Sequence, residues 1–235
     1  MDYRDWMKQF KEMAATLESR PKLFGISHLI GDPLDDESLR DTEEEVAQRS
    51  GLADFHVPAP LRDFYNATRG FNFQWVKFAP PAPFENMTAT CNISTVSELF
   101  SPDENLLRFV GQDARAAFSP YGQLRVLDNA DPASHVLARF TESSGEPELF
   151  WRSTDEEDGG ERMSRLLINF DQYLECALAA CFLFRWQTLF VEDSSVAPAD
   201  HKKEVFAKLK FVARFGLGDT DLLRETMRAV GRSKA

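Results

Sequence analysis

Residues 42–75 determine the fold that we predict for this chain, and they read TEEEVAQRSGLADFHVPAPLRDFYNATRGFNFQW. Thr42 and Glu45 have the spacing of a capping box, in which two side chains bind the unpaired N–H groups that open a helix. We therefore predict that a helix begins at Thr42. Gly51 predicts its end, because glycine adopts the left-handed conformation of a helix terminus without a steric clash.

A second helix is predicted directly after the first one. Pro58 and Pro60 have the fixed φ that suits the first turn of a helix, where a missing N–H costs nothing. Gly70 predicts the end of this helix. Its apolar face is formed by residues three or four positions apart, namely Leu61, Phe64, Tyr65 and Thr68.

A strand is predicted beyond Gly70, because Phe71, Phe73 and Trp75 alternate with polar residues at the period of a half-buried strand. These aromatic residues, with Phe78, allow two interpretations. They form the core of a sheet, since aromatic side chains favour strands and bury large areas, or one of them is an exposed contact for a partner. Trp75, near the end of the strand, is the candidate contact residue.

Short apolar runs follow this strand, and turn clusters rather than helices separate most of them. This pattern indicates a largely antiparallel sheet and an α+β fold. Ser94 to Phe100 predicts a short helix or turn between the first two runs. The runs are residues 87–93, 106–110, 116–118, 124–127, 136–140, 149–151 and 165–168.

Helices are predicted at both ends of the chain. An amphipathic stripe, formed by Tyr3, Trp6, Phe10, Met13 and Leu17, predicts the first helix. From Phe170 the period becomes 3.6 and predicts a central buried helix, capped by Asn169 or Asp171, with a stripe of Leu174, Leu178, Cys181 and Phe184. We expect an N-terminal helix and acidic linker at 1–40, an α+β domain at 41–190, and a helical extension at 191–235 packed on that domain.

The order of these features resembles the SUKH superfamily over residues 40–180. The resemblance is carried by Ser50-Gly51-Leu52, Val57-Pro58, Leu61-Arg62-x-Phe64-Tyr65 and Arg69-Gly70 before the aromatic strand, and later by Val136 to Phe140, Leu149-Phe150-Trp151 and Leu167 to Leu174. That family includes fungal cell-wall synthesis regulators and many bacterial immunity proteins that neutralise toxins. The resemblance implies a sheet packed by helices and a protein that acts by binding.

The chain is acidic, with a formal net charge of −11. This charge argues against a broad basic surface for nucleic acid and favours basic partners, although many proteins are acidic for solubility alone. Two clusters are candidate partner-binding sites: Asp35, Asp36 and Glu37 in an acidic stretch, and Asp155, Glu156, Glu157 and Asp158 at the tip of a predicted hairpin. The leading interpretation of each cluster is a solvated segment, and a docking site for a cationic partner is the alternative. Neither has the spacing of a calcium-binding loop.

Motifs for chemistry are absent from the sequence. His28, His56, His135 and His201 are far apart, and Cys91, Cys176 and Cys181 lack metal-ligand spacing, so we expect reduced core thiols. No nucleotide-binding loop or nucleophile motif occurs, and we expect neither cofactor nor metal. With no secretory signal and no membrane-spanning run, the expected compartment is a reducing cytoplasm.

The function implied by the resemblance is non-catalytic inhibition of a cognate bacterial toxin, such as a nuclease with a basic surface. The acidity is compatible with that target. Two alternatives remain: a regulatory or scaffold module that binds several proteins, and an unrecognised hydrolase. We expect no nucleic-acid or membrane partner, and the sequence does not define the oligomeric state.

Overall fold

A computed structural model describes residues 1–50, 55–80, 84, 87–101, 121–131, 134–141, 144–155, 160–196 and 199–232. These ranges contain seven α-helices and seven strands, which confirms the predicted α+β fold. The elements are α1 Tyr3–Glu18, β1 Phe24–Ile30, α2 Asp36–Ser50, α3 Ala59–Tyr65, β2 Phe71–Lys77, β3 Thr88–Ile93, α4 Val96–Leu99, β4 Leu124–Asp131, β5 Ser134–Thr141, β6 Ser144–Asp155, β7 Gly160–Arg165, α5 Phe170–Ala179, a 3-10 helix at Trp186–Phe190, α6 Ala199–Ala213 and α7 Thr220–Arg232.

The seven strands form one antiparallel sheet in which each strand pairs with its neighbour in sequence. β1 and β7 are therefore the two edges. The face that carries the main core consists of Phe24, Phe71, Phe73, Trp75, Ala89, Cys91, Ile93, Val136, Ala138, Phe140, Leu149 and Trp151, all of them buried. Helices at both ends of the chain contribute to the same core, which extends from Tyr3 in α1 to Leu223 in α7.

The opposite face of the sheet differs along its width. Over β1 to β3 its side chains are exposed, including Leu29, Gln74 and Val76. Over β4 to β6 it carries a second, smaller apolar cluster formed by Leu124, Val126, Leu137 and Phe150. The sheet therefore has one face that is covered except at β1, where His28 is exposed, and one face that is open at the β1 end.

The helix predicted to begin at Thr42 begins six residues earlier, at Asp36. Asp35 causes this difference, because its Oδ1 accepts the Ser38 backbone N–H at 2.8 Å and so caps the first turn. Thr42 lies inside the helix, where its hydroxyl donates to the Ser38 carbonyl at 3.0 Å. Gly51, the predicted end, lies outside the described residues.

Gly70 does not end the second helix, which ends at Tyr65. The glycine is required for another reason. Its φ is +130°, and a Cβ atom there would lie 2.7 Å from the Ile93 carbonyl oxygen at the end of β3. The close approach of two strands, rather than a helix terminus, explains this residue.

Several predicted runs need correction. The run at 165–168 is not a strand, because β7 ends at Arg165 and Leu166 forms only an isolated bridge with Val191. The sequence does not predict β1, since polar His28 on the core side and apolar Leu29 on the open side break the alternation. The runs at 106–110 and 116–118 lie outside the described residues.

The central helix α5 is shorter than its apolar pattern predicts. Asn169 caps it in a reciprocal pair with Gln172, as one of the two predicted caps. It ends at Ala179, and the chain then adopts left-handed conformations at Cys181 and Phe182. Cys181 and Phe184 consequently do not continue the helical stripe. Leu174 is completely buried, whereas Leu178 is only half-buried.

We expect Leu174→Ala and Leu178→Ala to differ in stability, although the sequence places both on one stripe. Leu174→Ala should lower the free energy of unfolding by about 2–5 kcal/mol, because it removes buried methyl groups and leaves a cavity. Leu178→Ala should cost less than about 2 kcal/mol, because water already reaches that side chain. Urea denaturation of both variants measures this. Equal losses would contradict the placement of Leu178 at the surface.

Candidate functional site

The first predicted cluster, Asp35, Asp36 and Glu37, lies exposed at the first turn of α2. Asp35 is the helix cap described above. The backbone N–H and the hydroxyl of Ser38 donate to Asp35 and lower the pKa of its carboxyl group. Asp36 and Glu37 make no side-chain contact of this kind among the described residues, so they are free to interact with a partner.

The second predicted cluster lies at the tip of the β6–β7 hairpin. Asp155 ends β6 and pairs with Gly160 at the start of β7. Glu156, Glu157 and Asp158 lie outside the described residues. The hairpin itself is therefore present, and the role of its acidic tip stays a prediction.

Trp75 is a core residue, with 2% of its surface exposed. Its indole Nε1 donates to the Cys181 carbonyl at 2.9 Å, and its ring packs edge-on against Phe24 at 5.7 Å between centroids. Of the two sequence interpretations the core one is correct. Trp75 is not an exposed contact residue, because β2 lies inside the sheet and its odd-numbered side chains all face the helices.

Glu43 departs from the solvated character predicted for the acidic stretch. It is buried at 5% exposure, and its Oε1 accepts the Val57 N–H at 2.7 Å and a bond from the Arg62 guanidinium. This carboxylate joins α2 to the segment that opens α3. It contributes to the fold and is not available at the surface.

A buried polar cluster surrounds Asp128, which is 2% exposed in β4. Its Oδ2 accepts the Tyr173 hydroxyl at 2.6 Å and the Cys91 thiol at 3.3 Å, and its Oδ1 accepts the Asn92 N–H at 2.8 Å. One carboxylate therefore connects β3, β4 and α5. No sequence motif predicts this cluster, because its members are dispersed over more than eighty positions.

The Asp128 cluster is not a nucleophilic site. Burial, together with the negative charge of Asp128, raises the pKa of the Cys91 thiol and of the Tyr173 hydroxyl well above their usual values. A protonated thiol is a poor nucleophile. The adjoining crevice has a volume of about 10 Å³, which is room for one water molecule at most. Burial also raises the pKa of Cys176 and Cys181 to about 12.

A groove of about 740 Å³ lies between α1, α5 and the start of α7. Its floor is apolar and is formed by Trp6, Met13, Leu178, Ala179, Leu217 and Leu222. Gly218 shapes one end, because its φ is +74° and a Cβ atom there would lie 2.5 Å from the Ala179 carbonyl oxygen. The loop before α7 is thereby held against the end of α5, where the Asp219 N–H donates to the same carbonyl at 2.8 Å.

Carboxylates line this acidic groove on both sides, and no lysine or arginine is among its described lining residues. Asp2, Asp5 and Glu12 lie on α1, and Glu175 and Asp219 lie opposite. Asp2 and Asp219 cap α1 and α7 through bonds from backbone N–H groups. Asp5 and Glu12 make no side-chain hydrogen bond or ion pair within the described part of the chain, so their charge is available to whatever enters the groove. Glu175 attracts the Met1 ammonium, which also lines the groove and is paired with Asp171 at 2.9 Å.

The wall of the groove that α1 forms could be recognised from a pattern in the sequence. Asp2, Asp5, Gln9, Glu12 and Thr16 recur at three or four residues along one flank of α1, while the basic residues Arg4, Lys8 and Lys11 line a different concave surface on another flank. The opposite wall comes from residues more than 150 positions away. Only the packing of the C-terminal helices on α1 reveals it.

Comparison with known proteins gives no relative: no family model, curated protein or solved structure matches this chain. Within the described residues, no three His, Cys, Asp or Glu side chains are placed to hold a metal ion. In the same residues, no helix has the length and apolar character needed to cross a bilayer.

We expect Asp128→Ala to destabilise the protein by about 3–5 kcal/mol, because it leaves the Tyr173 hydroxyl and the Asn92 N–H without a buried acceptor. Asp128→Asn keeps the shape and one carbonyl oxygen, and should cost less. Thermal or urea unfolding of both variants tests this. An Asp128→Ala protein within about 1 kcal/mol of wild type would show that the cluster contributes little to the fold.

Proposed function

We propose that this protein is a non-catalytic immunity protein that binds and inhibits a cognate bacterial toxin with a basic surface, such as a nuclease. The observation that carries the proposal is the acidic groove, in which an apolar floor lies between two rows of carboxylates. This combination fits a segment that is both basic and apolar. The resemblance of residues 40–180 to the SUKH superfamily and the net charge of −11 support the same class of function.

The dimensions of the groove suit a helical segment of the toxin. Asp2 and Thr16 mark its length along α1, and fourteen residues at 1.5 Å per residue correspond to roughly 21 Å. A helix of about four turns has that length. Such a helix would place its apolar side chains on Leu178 and Leu222 and its lysine or arginine side chains beside Asp5, Glu12 and Glu175, which is the helix-in-groove mode of recognition.

The two parts of the groove contribute differently to binding. Exposed carboxylates at a rim accelerate encounter with a basic partner, and salt screens this attraction over about 8–10 Å. Buried apolar contacts mostly determine how long the complex lasts. Asp36, Glu37 and the acidic tip of the β6–β7 hairpin would add to the attraction at a distance. The proposed inhibitor needs no metal or cofactor and acts in the cytoplasm.

The partner can be identified with two triple variants that change charge equally. Asp5→Asn, Glu12→Gln and Glu175→Gln remove three carboxylates from the groove and leave the caps Asp2 and Asp219 intact. Asp36→Asn, Glu37→Gln and Glu44→Gln remove three exposed carboxylates from α2. Affinity capture from the source cells with wild type and both variants, followed by mass spectrometry, should yield one basic protein that the groove variant loses.

We expect the captured protein to arrest growth when it is expressed alone, and co-expression of wild type to restore growth. Against this partner, the groove triple variant should lower the association rate at least about tenfold at low salt, because it removes the nearest charges. The α2 triple variant should lower it less. Leu222→Ala should raise the dissociation rate about tenfold, which corresponds to about 1.4 kcal/mol. Stopped-flow and surface-plasmon measurements give these rates.

Several outcomes would contradict the proposal. Capture of many housekeeping proteins, none of them toxic, would favour the scaffold alternative. A single toxic partner could bind wild type and the groove variant with the same association and dissociation rates. That result would support inhibition of a toxin but would show that the groove is not the binding site. Equal losses in the two triple variants would mean that total charge, rather than the groove, guides association.

A further inference from the structure

The two edge strands of the sheet, β1 and β7, differ in how far other parts of the chain cover them. At the β7 edge, residues 190–193 run alongside the strand and cover it. The Glu192 N–H donates to the Arg165 carbonyl at 2.8 Å, and the Asp193 N–H donates to the Ser164 hydroxyl at 2.9 Å. β7 also contains charged residues, which discourage pairing with another strand.

At the β1 edge, no segment among the described residues pairs with the free side of the strand. Its sequence, FGISHLI, contains no Lys, Arg, Asp, Glu or Pro, and it pairs with β2 along all seven residues without a bulge. Leu29 is 73% exposed on the open face of the sheet, and Leu23, Val76 and Phe78 are exposed near the other end of the strand. A flat, uncharged edge with exposed apolar side chains is a surface suited to pairing with a further strand.

The hydrogen bonds define which backbone groups are free. The Phe78 N–H donates to the Leu23 carbonyl and the Gly31 N–H donates to the Gly70 carbonyl, both at 2.9 Å. Because antiparallel bonding alternates, Ile26, His28 and Ile30 direct their N–H and C=O groups away from β2. In the described part of the chain these groups have no backbone partner outside the strand.

We propose that β1 pairs in antiparallel fashion with β1 of a second copy of this chain, about a two-fold axis at His28. In this register His28 lies opposite His28, and Ile26 lies opposite Ile30 on both sides of the axis. The three residue pairs are hydrogen-bonded pairs, each of which exchanges two bonds. On the open face, the two Leu29 side chains meet diagonally across the axis, next to Ser27 of the opposite strand.

A second copy is favoured over an unrelated strand because the edge is self-complementary. The residues with free backbone groups are Ile, His and Ile in either direction of the strand. The two-fold register therefore places isoleucine opposite isoleucine and histidine opposite histidine. The charge within the strand allows this choice. Two copies of net charge −11 repel each other, but residues 24–30 contain no Asp or Glu, and the carboxylate beside them, Glu18 Oε1, lies 3.0 Å from the His28 Nε2 that it pairs with.

The strength of the interaction follows from its size. One strand pair buries much less than the ~1,200–2,000 Å² of a stable interface. We therefore expect a reversible dimer with a dissociation constant of about 10–100 μM rather than a permanent one. This dimer requires no other protein, so its failure and the failure of the proposed inhibitory function are independent results.

Sedimentation velocity of the full chain from about 1 to 500 μM should show a monomer–dimer equilibrium in this range. Leu29→Lys should weaken it at least about tenfold, because it replaces an apolar contact by a charge. His28→Pro should abolish it, since that N–H points away from β2 and proline removes it without breaking the β1–β2 ladder. Met163→Lys, at a 39% exposed apolar residue of β7, is the matched control and should leave it unchanged.

Cysteine cross-linking tests the register. In the two-fold pairing the two Cα atoms of residue 28 are about 5.5 Å apart, within disulfide range, whereas residue 27 lies opposite residue 29. Mild oxidation should therefore cross-link His28→Cys and not Ser27→Cys, while the three buried native cysteines stay reduced. A chain that is monomeric at 500 μM, or a dimer that Leu29→Lys, His28→Pro and Met163→Lys affect equally, would overturn the proposal.

Discussion

The packing of α1 on the aromatic face of β2 is the interaction on which the rest of the structure depends. Phe10 of α1 contacts Phe71, Phe73 and Phe182 at centroid distances of 5.0, 5.1 and 5.6 Å. Trp6 adds a hydrogen bond from its Nε1 to the Leu174 carbonyl at 2.9 Å. Aromatic pairs in such tilted and edge-on arrangements stabilise more than their buried area alone. This cluster joins the first helix, the sheet and the end of α5.

Both candidate surfaces are consequences of this packing. Because α1 directs its apolar stripe at β2, its acidic flank lies beside the apolar stripe, where α5 and α7 complete the groove. The helices, including α1, cover one face of β2. Because successive side chains of a strand point to opposite faces, every second residue of β1 and β2 faces water on the other side of the sheet. The exposed positions of Leu29 and Val76 therefore follow from the same alternation that buries Phe73 and Trp75.

Elements whose apolar residues recur with a clear period could be predicted from the sequence. Boundaries for which two residues are suitable caps could not. The alternation in β2 and the stripe of α1 give these elements almost residue by residue. The start of α2 differs from the prediction because Asp35 and Thr42 are both good caps, and Asp35 comes first along the chain. Backbone hydrogen bonds from the Leu34 N–H to the Tyr65 carbonyl and from the Arg69 N–H to the Asp32 carbonyl hold the segment that precedes Asp35. Trp75 and Leu178 show the limit of periodicity: it gives the face of a residue but not how completely another element covers that face.

The candidate site was even less accessible from sequence. A cluster of acids in sequence, such as Asp35 to Glu37, is visible at once, and it lies on the exposed first turn of α2. The groove acquires its character only when residues from the first and last helices meet, and the carboxylates that line it are ordinary surface residues on each helix alone. Long-range packing, rather than local composition, makes the site.

Charge would affect the two proposed contacts differently. If the groove binds a basic segment, added salt screens the attraction and slows association. If the β1 edge pairs two acidic copies, added salt screens their mutual repulsion and favours pairing. Raising the ionic strength should thus act in opposite directions on the two contacts. Because the apolar and backbone contacts at the edge depend little on salt, this difference in sign follows from the net charge and from the position of the charged side chains, and it does not depend on the identity of the basic partner.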